Sequence, residues 1–287
     1  MSFFTLIFTL ILFLTTQSFA EGEKEQYLAE VQKIWDGLKP QRGEIKLLNG
    51  VATLTVPDEF FYLSPSDSET VLTKIWGNPP TGENNLGMLF PTGATAVSSG
   101  TWGVTINYEE DGYVSDENAD DIDYDDLLSD MQESVDASNK QRAEMGYETI
   151  QLVGWASKPY YDSLSHKLHW AQEIQFGDQT TNTLNYNIRV LGRKGVLLLN
   201  FIAEMDQLYV INSQVDTVLN IAEFNDGLRY ADFNPDIDTV AAYGIGALIA
   251  GKVAAKVGLL ATILLLFKKF WFILILAVGG FFKRLFR

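Results

Sequence analysis

The last 48 residues of the chain, 240–287, carry seven basic side chains and no acidic one, whereas all 37 Asp and Glu lie upstream. Such a split implies two solvents, lipid for the apolar end and water for the acidic remainder. Residues 1–20 carry no charge at all. Between the two ends, residues 21–239 hold 37 acidic against 14 basic side chains, a net charge of −23. That charge keeps a domain soluble and repels nucleic acid, because Lys and Arg neutralising phosphates is what drives nucleic-acid binding. No nucleic-acid partner is expected.

Residues 3–14 form an uncharged apolar stretch of signal-peptide length. Ser18 and Ala20 then supply the small residues of a cleavage site, so residues 1–20 read as a leader and Glu21 as the first mature residue. Because no Lys or Arg precedes Lys24, an uncleaved anchor is the alternative. In the tail, Lys252 and Lys256, then Lys268 and Lys269, divide the apolar sequence into three blocks, none reaching about 20 residues alone. The expectation is one crossing from near Ala241 to Phe267 with a basic, aromatic end in the cytoplasm; a helical hairpin turning at Lys268-Lys269 is the alternative. Lys252 and Lys256 share one helix face, where each costs about 2.5–3.5 kcal/mol unless it snorkels, lines water or meets a partner. Ala242, Gly246 and Ala250, then Ala247, Gly251 and Ala255, repeat small residues every fourth position, a spacing that admits a second helix. These features predict an inner-membrane protein with its domain outside the cytoplasm. The expected partners are the lipid bilayer and another envelope protein or a second copy of the chain.

The chain has no cysteine, so disulfides, thiolate metal sites and cysteine nucleophiles are excluded. Residues 21–239 are long enough to bury one core. Leu28, Val31, Ile34, Trp35 and Leu38 form a helical stripe before Lys39-Pro40. Two alternating runs, 44–48 and 51–56, flank Asn49-Gly50, a strong hairpin signal. Ser66 to Glu69 has capping-box spacing before a short helix that Asn78-Pro79-Pro80 stops. Strands are expected at 86–90, 102–108, 149–156, 166–176, 183–191 and 196–203, the last two joined by a hairpin at Gly192-Arg193-Lys194-Gly195. Helices are expected over 124–145, stopped by Gly146, and over 206–224. Hairpins with helices between strand pairs argue for an α+β fold, a mainly antiparallel sheet flanked by helices, with a C-terminal transmembrane segment.

This order of elements, with the Val56-Pro57-Asp58-Glu59-Phe60 entry, resembles the Mog1 and PsbP sandwich folds. More specific are five segments: Ile75-Trp76-Gly77-Asn78-Pro79-Pro80, Tyr108-Glu109-Glu110-Asp111-Gly112-Tyr113-Val114, Leu152-Val153-Gly154-Trp155-Ala156, Leu184 through Arg193, and Arg229-Tyr230-Ala231-Asp232-Phe233-Asn234-Pro235. They resemble the bacterial membrane-anchored proteins grouped as domain of unknown function 2167. The resemblance implies a leader, an extracytoplasmic domain and a C-terminal anchor, and brings no activity with it.

Candidate chemistry is sparse. Residues 109–136 hold 13 acidic side chains and no basic one. Within them Asp121, Asp123 and Asp125 place oxygens at alternate positions, as at the start of a calcium loop. Asp126 stands where that loop turns on Gly, however, and Gln132 where a bidentate Glu closes it. A looser cation site or a solvated helix start are the readings left. His166 and His169, three apart in a strand pattern, point to opposite faces. No nucleophile elbow, zincin pair or dinucleotide fingerprint occurs, and nothing calls for a cofactor. Trp102, Tyr108, Tyr113, Trp155, Tyr160, Tyr161 and Trp170 suit either core packing or sugar and peptide binding. Arg189 and Arg193, in an acidic domain, are candidates for a partner or anion contact, with structural ion pairs as the plainer reading; Lys252 and Lys256 join them as partner candidates in the tail. The expected function is a non-catalytic binding or scaffolding module of the envelope. Its alternatives are a hydrolase using paired carboxylates on a glycan or peptidoglycan, and a cation-binding sensor.

Overall fold

The computed structural model describes residues 25–47, 50–78, 85–96 and 100–250, and within them the chain builds two antiparallel sheets. The small sheet has the order β1-β2-β10, from Gly43–Lys46, Ala52–Val56 and Ala222–Phe224. The large sheet has the order β3-β4-β5-β9-β8-β7-β6. Its strands are β3 (Phe60–Leu63), β4 (Asn85–Pro91), β5 (Gly103–Glu109), β6 (Ile150–Asp162), β7 (Lys167–Phe176), β8 (Thr183–Leu191) and β9 (Val196–Glu204). Five helices flank them: α1 (25–36), α2 (Pro65–Thr70, continued by a π-helical turn Val71–Ile75), α3 (Tyr124–Glu144), α4 (Leu208–Ile221) and α5 (Ile245–Ala250). The fold is α+β, as the order of hairpins and helices predicts.

Local sequence explains most boundaries. Lys46 opposite Thr53 centres the β1–β2 register on the 49–50 pair, and Gly50 takes a φ of 66°. Asp123 caps α3 by accepting from the Asp125 and Asp126 amides, and Gly146, at φ 78°, ends it. Three expectations shift. The cap of α2 is Ser64, accepting from the Asp67 amide at 3.3 Å, not Ser66, because Pro65 already sets the first helical φ. The helix expected to reach Phe224 stops at Ile221, because Ala222–Phe224 pair with Leu54–Ala52 of β2 and close the small sheet. Strand β6 runs on to Asp162, through Pro159. It tolerates that proline and three register shifts because it is an edge strand. Its outer edge is protected at Ile150, whose N–H and C=O both bond to the Asn139 side chain of α3 at 2.8 Å.

The two faces of the large sheet bury different things. In β9, Leu197, Leu199, Phe201 and Ala203 point to a face covered by α4 and the small sheet, while Val196, Leu198 and Ile202 point to the other. The first face is one apolar cluster that also takes Phe60, Trp102, Val104, Ile106 and Ile188. The second carries two separate clusters. One forms under α1 and α2 around Phe61, Leu63, Met88 and Phe90; the other forms under α3 and α5 around Leu168, Trp170, Met131 and Leu152. Between them lies a polar strip.

The boundary expected at 239/240 falls inside packed structure. Residue 240 bridges to Tyr113, the Tyr113 N–H donates to the Thr239 carbonyl at 2.8 Å, and the Ala241 N–H donates back to Tyr113. Gly112 permits this strap, since a Cβ there would stand 2.5 Å from the Thr239 oxygen. Helix α5, assigned by hydropathy to the membrane segment, buries Ile245, Leu248 and Ile249 in the cluster under α3. Gly246 sits over Ile122, so part of the small-residue stripe serves this internal contact. Hydropathy alone does not distinguish a helix packed on protein from one packed on lipid. Among the described residues no helix is long and apolar enough to cross a membrane. The leader, Lys252 and Lys256 lie outside the described residues.

Candidate functional site

The polar strip runs straight across the second face. Thr105 stands opposite Asn200, Asn200 opposite Asn187, and Asn187 opposite Trp170. Arg189, one pleat along β8, leans over it. Its guanidinium donates to Asn200 Oδ1 at 2.8 Å, to the Ile188 carbonyl at 3.1 Å and to Asn187 Oδ1 at 3.3 Å, and lies 4.7 Å from the Trp170 ring centroid. Burial pushes the Arg189 guanidinium down to about 10, with the Glu109 carboxylate acting the other way, so it stays charged at neutral pH. The structure thus places this candidate partner residue inside the sheet, held by neutral amide oxygens and an aromatic face. Arg193 is also engaged internally. Its Nε donates to Asp238 at 2.7 Å and its Nη1 to the Gly227 carbonyl, which ties the β8–β9 turn to the strap. The pair favours both charged forms: the hydrogen bond to Arg193 holds Asp238 below the usual carboxylate range, and the same bond raises Arg193.

Toward one end of the strip the second face opens into a groove of about 660 Å³. Ile174, Thr183, Asn185, Ile202 and Glu204 form its floor, from β7, β8 and β9. One wall is Trp76-Gly77-Asn78, where α2 ends, and the other is Arg142 with Tyr147-Glu148, where α3 ends. Both walls are pinned. The Trp76 indole donates to the Ala96 carbonyl at 3.0 Å, and Arg142 Nε donates to the Glu148 carbonyl at 2.8 Å while its guanidinium sits 5.9 Å from the Tyr147 ring. Asn185 and Thr101 also line it, and Asn185 Oδ1 and the Thr101 hydroxyl oxygen are buried with no hydrogen-bond partner among the described residues. Orphaned polar atoms inside a protein are uncommon and call for an explanation.

A second polar cluster lies near the strap. Tyr161 donates to Asp116 Oδ2 at 2.6 Å, His166 Nδ1 is 3.2 Å from the Tyr161 hydroxyl and 3.5 Å from Asp116 Oδ2, and Tyr230 donates to the Val114 carbonyl. Phe233, Tyr113, Tyr230 and His166 stack in turn with centroids 3.9, 4.4 and 4.2 Å apart. Burial alone would raise the Asp116 carboxyl, yet the Tyr161 and Tyr230 hydroxyls and the His166 ring bring it below the usual carboxylate range. Burial and that carboxylate together push both phenols upward, so they remain donors at neutral pH. His166 holds a φ of 53°, the one positive value at a non-glycine among the described residues. These bonds, with those of Tyr113 to residues 239 and 241, make the cluster a joint between the 113–116 segment, β6 and the strap.

The remaining candidates are dispersed. Asp123 is the α3 cap, Asp125 pairs with Lys158 at 2.9 Å, and Asp121 closes a 3₁₀ turn. Among the described residues no three His, Asp or Glu gather as a metal site. His166 lies in the turn before β7 and His169 opposite Tyr160, where burial, helped by Lys167, lowers its pKa. Trp102 and Trp170 are core residues, and Tyr113 belongs to the ring stack. Sequence reading missed Asn185, Tyr147 and Trp76 as groove residues, because Asn185 reads as the solvated side of an alternating strand.

The comparisons with known proteins add no activity. PsbP of Synechocystis sp. PCC 6803 is 8% identical over 66% of this chain and 92% of its own, with a TM-score of 0.36. The Saccharomyces cerevisiae Ran-binding protein Mog1p is 10% identical over 69% of this chain and 100% of its own, at 0.31. No curated protein matches the chain. A family model described as protein of unknown function (DUF2167) matches residues 39–279, which takes in every described strand and the groove, and the chain belongs to that family.

Proposed function

We propose that this protein is a membrane-anchored envelope protein whose acidic domain faces away from the cytoplasm and binds a partner without catalysing a reaction. The observation that carries the location is the charge partition, seven basic and no acidic residues over 240–287 against a net −23 before them. The domain supports a binding role through its groove, whose two walls are pinned by hydrogen bonds and whose lining mixes amides, carboxylates and aromatic rings. Helix α5 packs on α3 as far as Ala250, so the membrane segment of this reading lies beyond that residue. The same reading leaves residues 251–287 to meet the bilayer, with Lys252 and Lys256 as its partner candidates, and expects no contact with nucleic acid.

Fractionation of bacterial cells expressing the full chain tests this directly. The protein should remain with the inner membrane after alkaline carbonate extraction, and protease added outside spheroplasts should digest the acidic domain. Recovery in the soluble fraction, or a domain protected until the membrane is opened, overturns the reading.

A further inference from the structure

Three properties of the groove between α2 and α3 narrow what it takes. Among the described residues its charged lining is Arg142 against Glu148 and Glu204, with no cluster of cations, which disfavours phosphate, nucleotides and anionic headgroups. Its floor is made by β7, β8 and β9, all interior to the sheet, so no free strand edge offers a peptide main chain a ladder of hydrogen bonds. Its lining mixes planar amides and carboxylates, Asn78, Asn182, Asn185 and Glu204 among them, with the rings of Trp76 and Tyr147.

From this lining we infer that the groove binds a short neutral oligosaccharide. Each sugar hydroxyl both donates and accepts, which fits a lining where carboxylates only accept, the guanidinium only donates and the amides do both. The C–H faces of sugar rings suit aromatic walls. A volume of about 660 Å³ lies within the usual range for organic ligands and exceeds what a single ion fills. Asn182 and the Gln179 amide are already oriented, donating to Glu173 at 2.6 Å and Glu148 at 3.2 Å, so part of the lining is preorganised.

This inference rests on the binding-module reading, and one experiment separates the two. Full-length protein, purified in a detergent without a sugar head group, is titrated calorimetrically with N-acetylchitotetraose and with maltotetraose, and each mixture is then analysed for shorter products. The expected result is saturable binding of at least one tetrasaccharide that weakens by about tenfold or more in Asn185→Leu and in Tyr147→Ala, the floor and a wall. Tyr209→Ala, which removes an 84% exposed ring on α4 away from the groove, should leave the affinity unchanged. Melting curves of both groove variants show that they are folded. No heat with either sugar overturns the inference, as does binding that both groove variants retain. Binding followed by cleavage upholds the site and overturns the non-catalytic reading, with Glu148 and Glu204 as the carboxylates to replace.

Discussion

The two faces of the seven-stranded sheet share the same strands and differ in everything attached to them. The face under α4 and the small sheet is continuously apolar, from Phe60 to Phe201 and Ile188, and is closed by a helix whose Ile211, Val215 and Val218 reach into it. The opposite face is covered in two pieces, and the gap holds Asn187, Asn200, Arg189 and the groove. An apolar face gains stability from area removed from water, whereas a polar face gains little and demands that each group find a partner. One face therefore holds the fold together, and the other carries the polar strip and the groove.

That contrast yields predictions of decreasing size. Phe201→Ala, on the apolar face, removes a fully buried ring and should cost about 3–5 kcal/mol in urea denaturation. A cost below about 1 kcal/mol would erase the distinction. Arg189→Leu should cost about 1–3 kcal/mol by stranding the oxygens of Asn187 and Asn200, and the triple variant that also makes Asn187→Val and Asn200→Val should recover most of it. If the triple variant is worse than the single one, the amides serve something other than the guanidinium. Asn185→Leu should change stability by less than about 1 kcal/mol, or raise it, because it deletes an unpaired buried acceptor, while sugar binding weakens by about tenfold or more. The smallest effect belongs to acid. Asp116 titrates lower in the folded protein than in the unfolded chain, so its contribution is complete well above the unfolded carboxylate value of about 3.9 and fades as pH falls through its folded value. Asp116→Asn should flatten that acid limb of the melting profile, and an unchanged limb would remove the joint from the account.

The large elements were legible because their signals are local. Helix α3 follows from Leu127, Met131 and Val135 with Gly146 behind them, and the β8–β9 hairpin from two alternating runs around Gly192 to Gly195. Strand β10 was hidden because Ile221-Ala222-Glu223-Phe224 extends the helical pattern of α4, and only the exposed edge of β2 turns it into a strand. Proline hid the far half of β6 for the same kind of reason, since only an edge position tolerates it. The Asp116 joint joins residues 45 and 50 apart in sequence, which no periodicity reports.

The sequence by itself determined the partition into acidic and apolar segments, the α+β class and the family, because charge, period and turn chemistry act between neighbours along the chain. Tertiary structure decided which alternating polar face was buried, where α5 packs and where a groove opens. An Asn or Arg on a strand faces water or protein according to what folds over it, and that cover comes from residues far away in the chain.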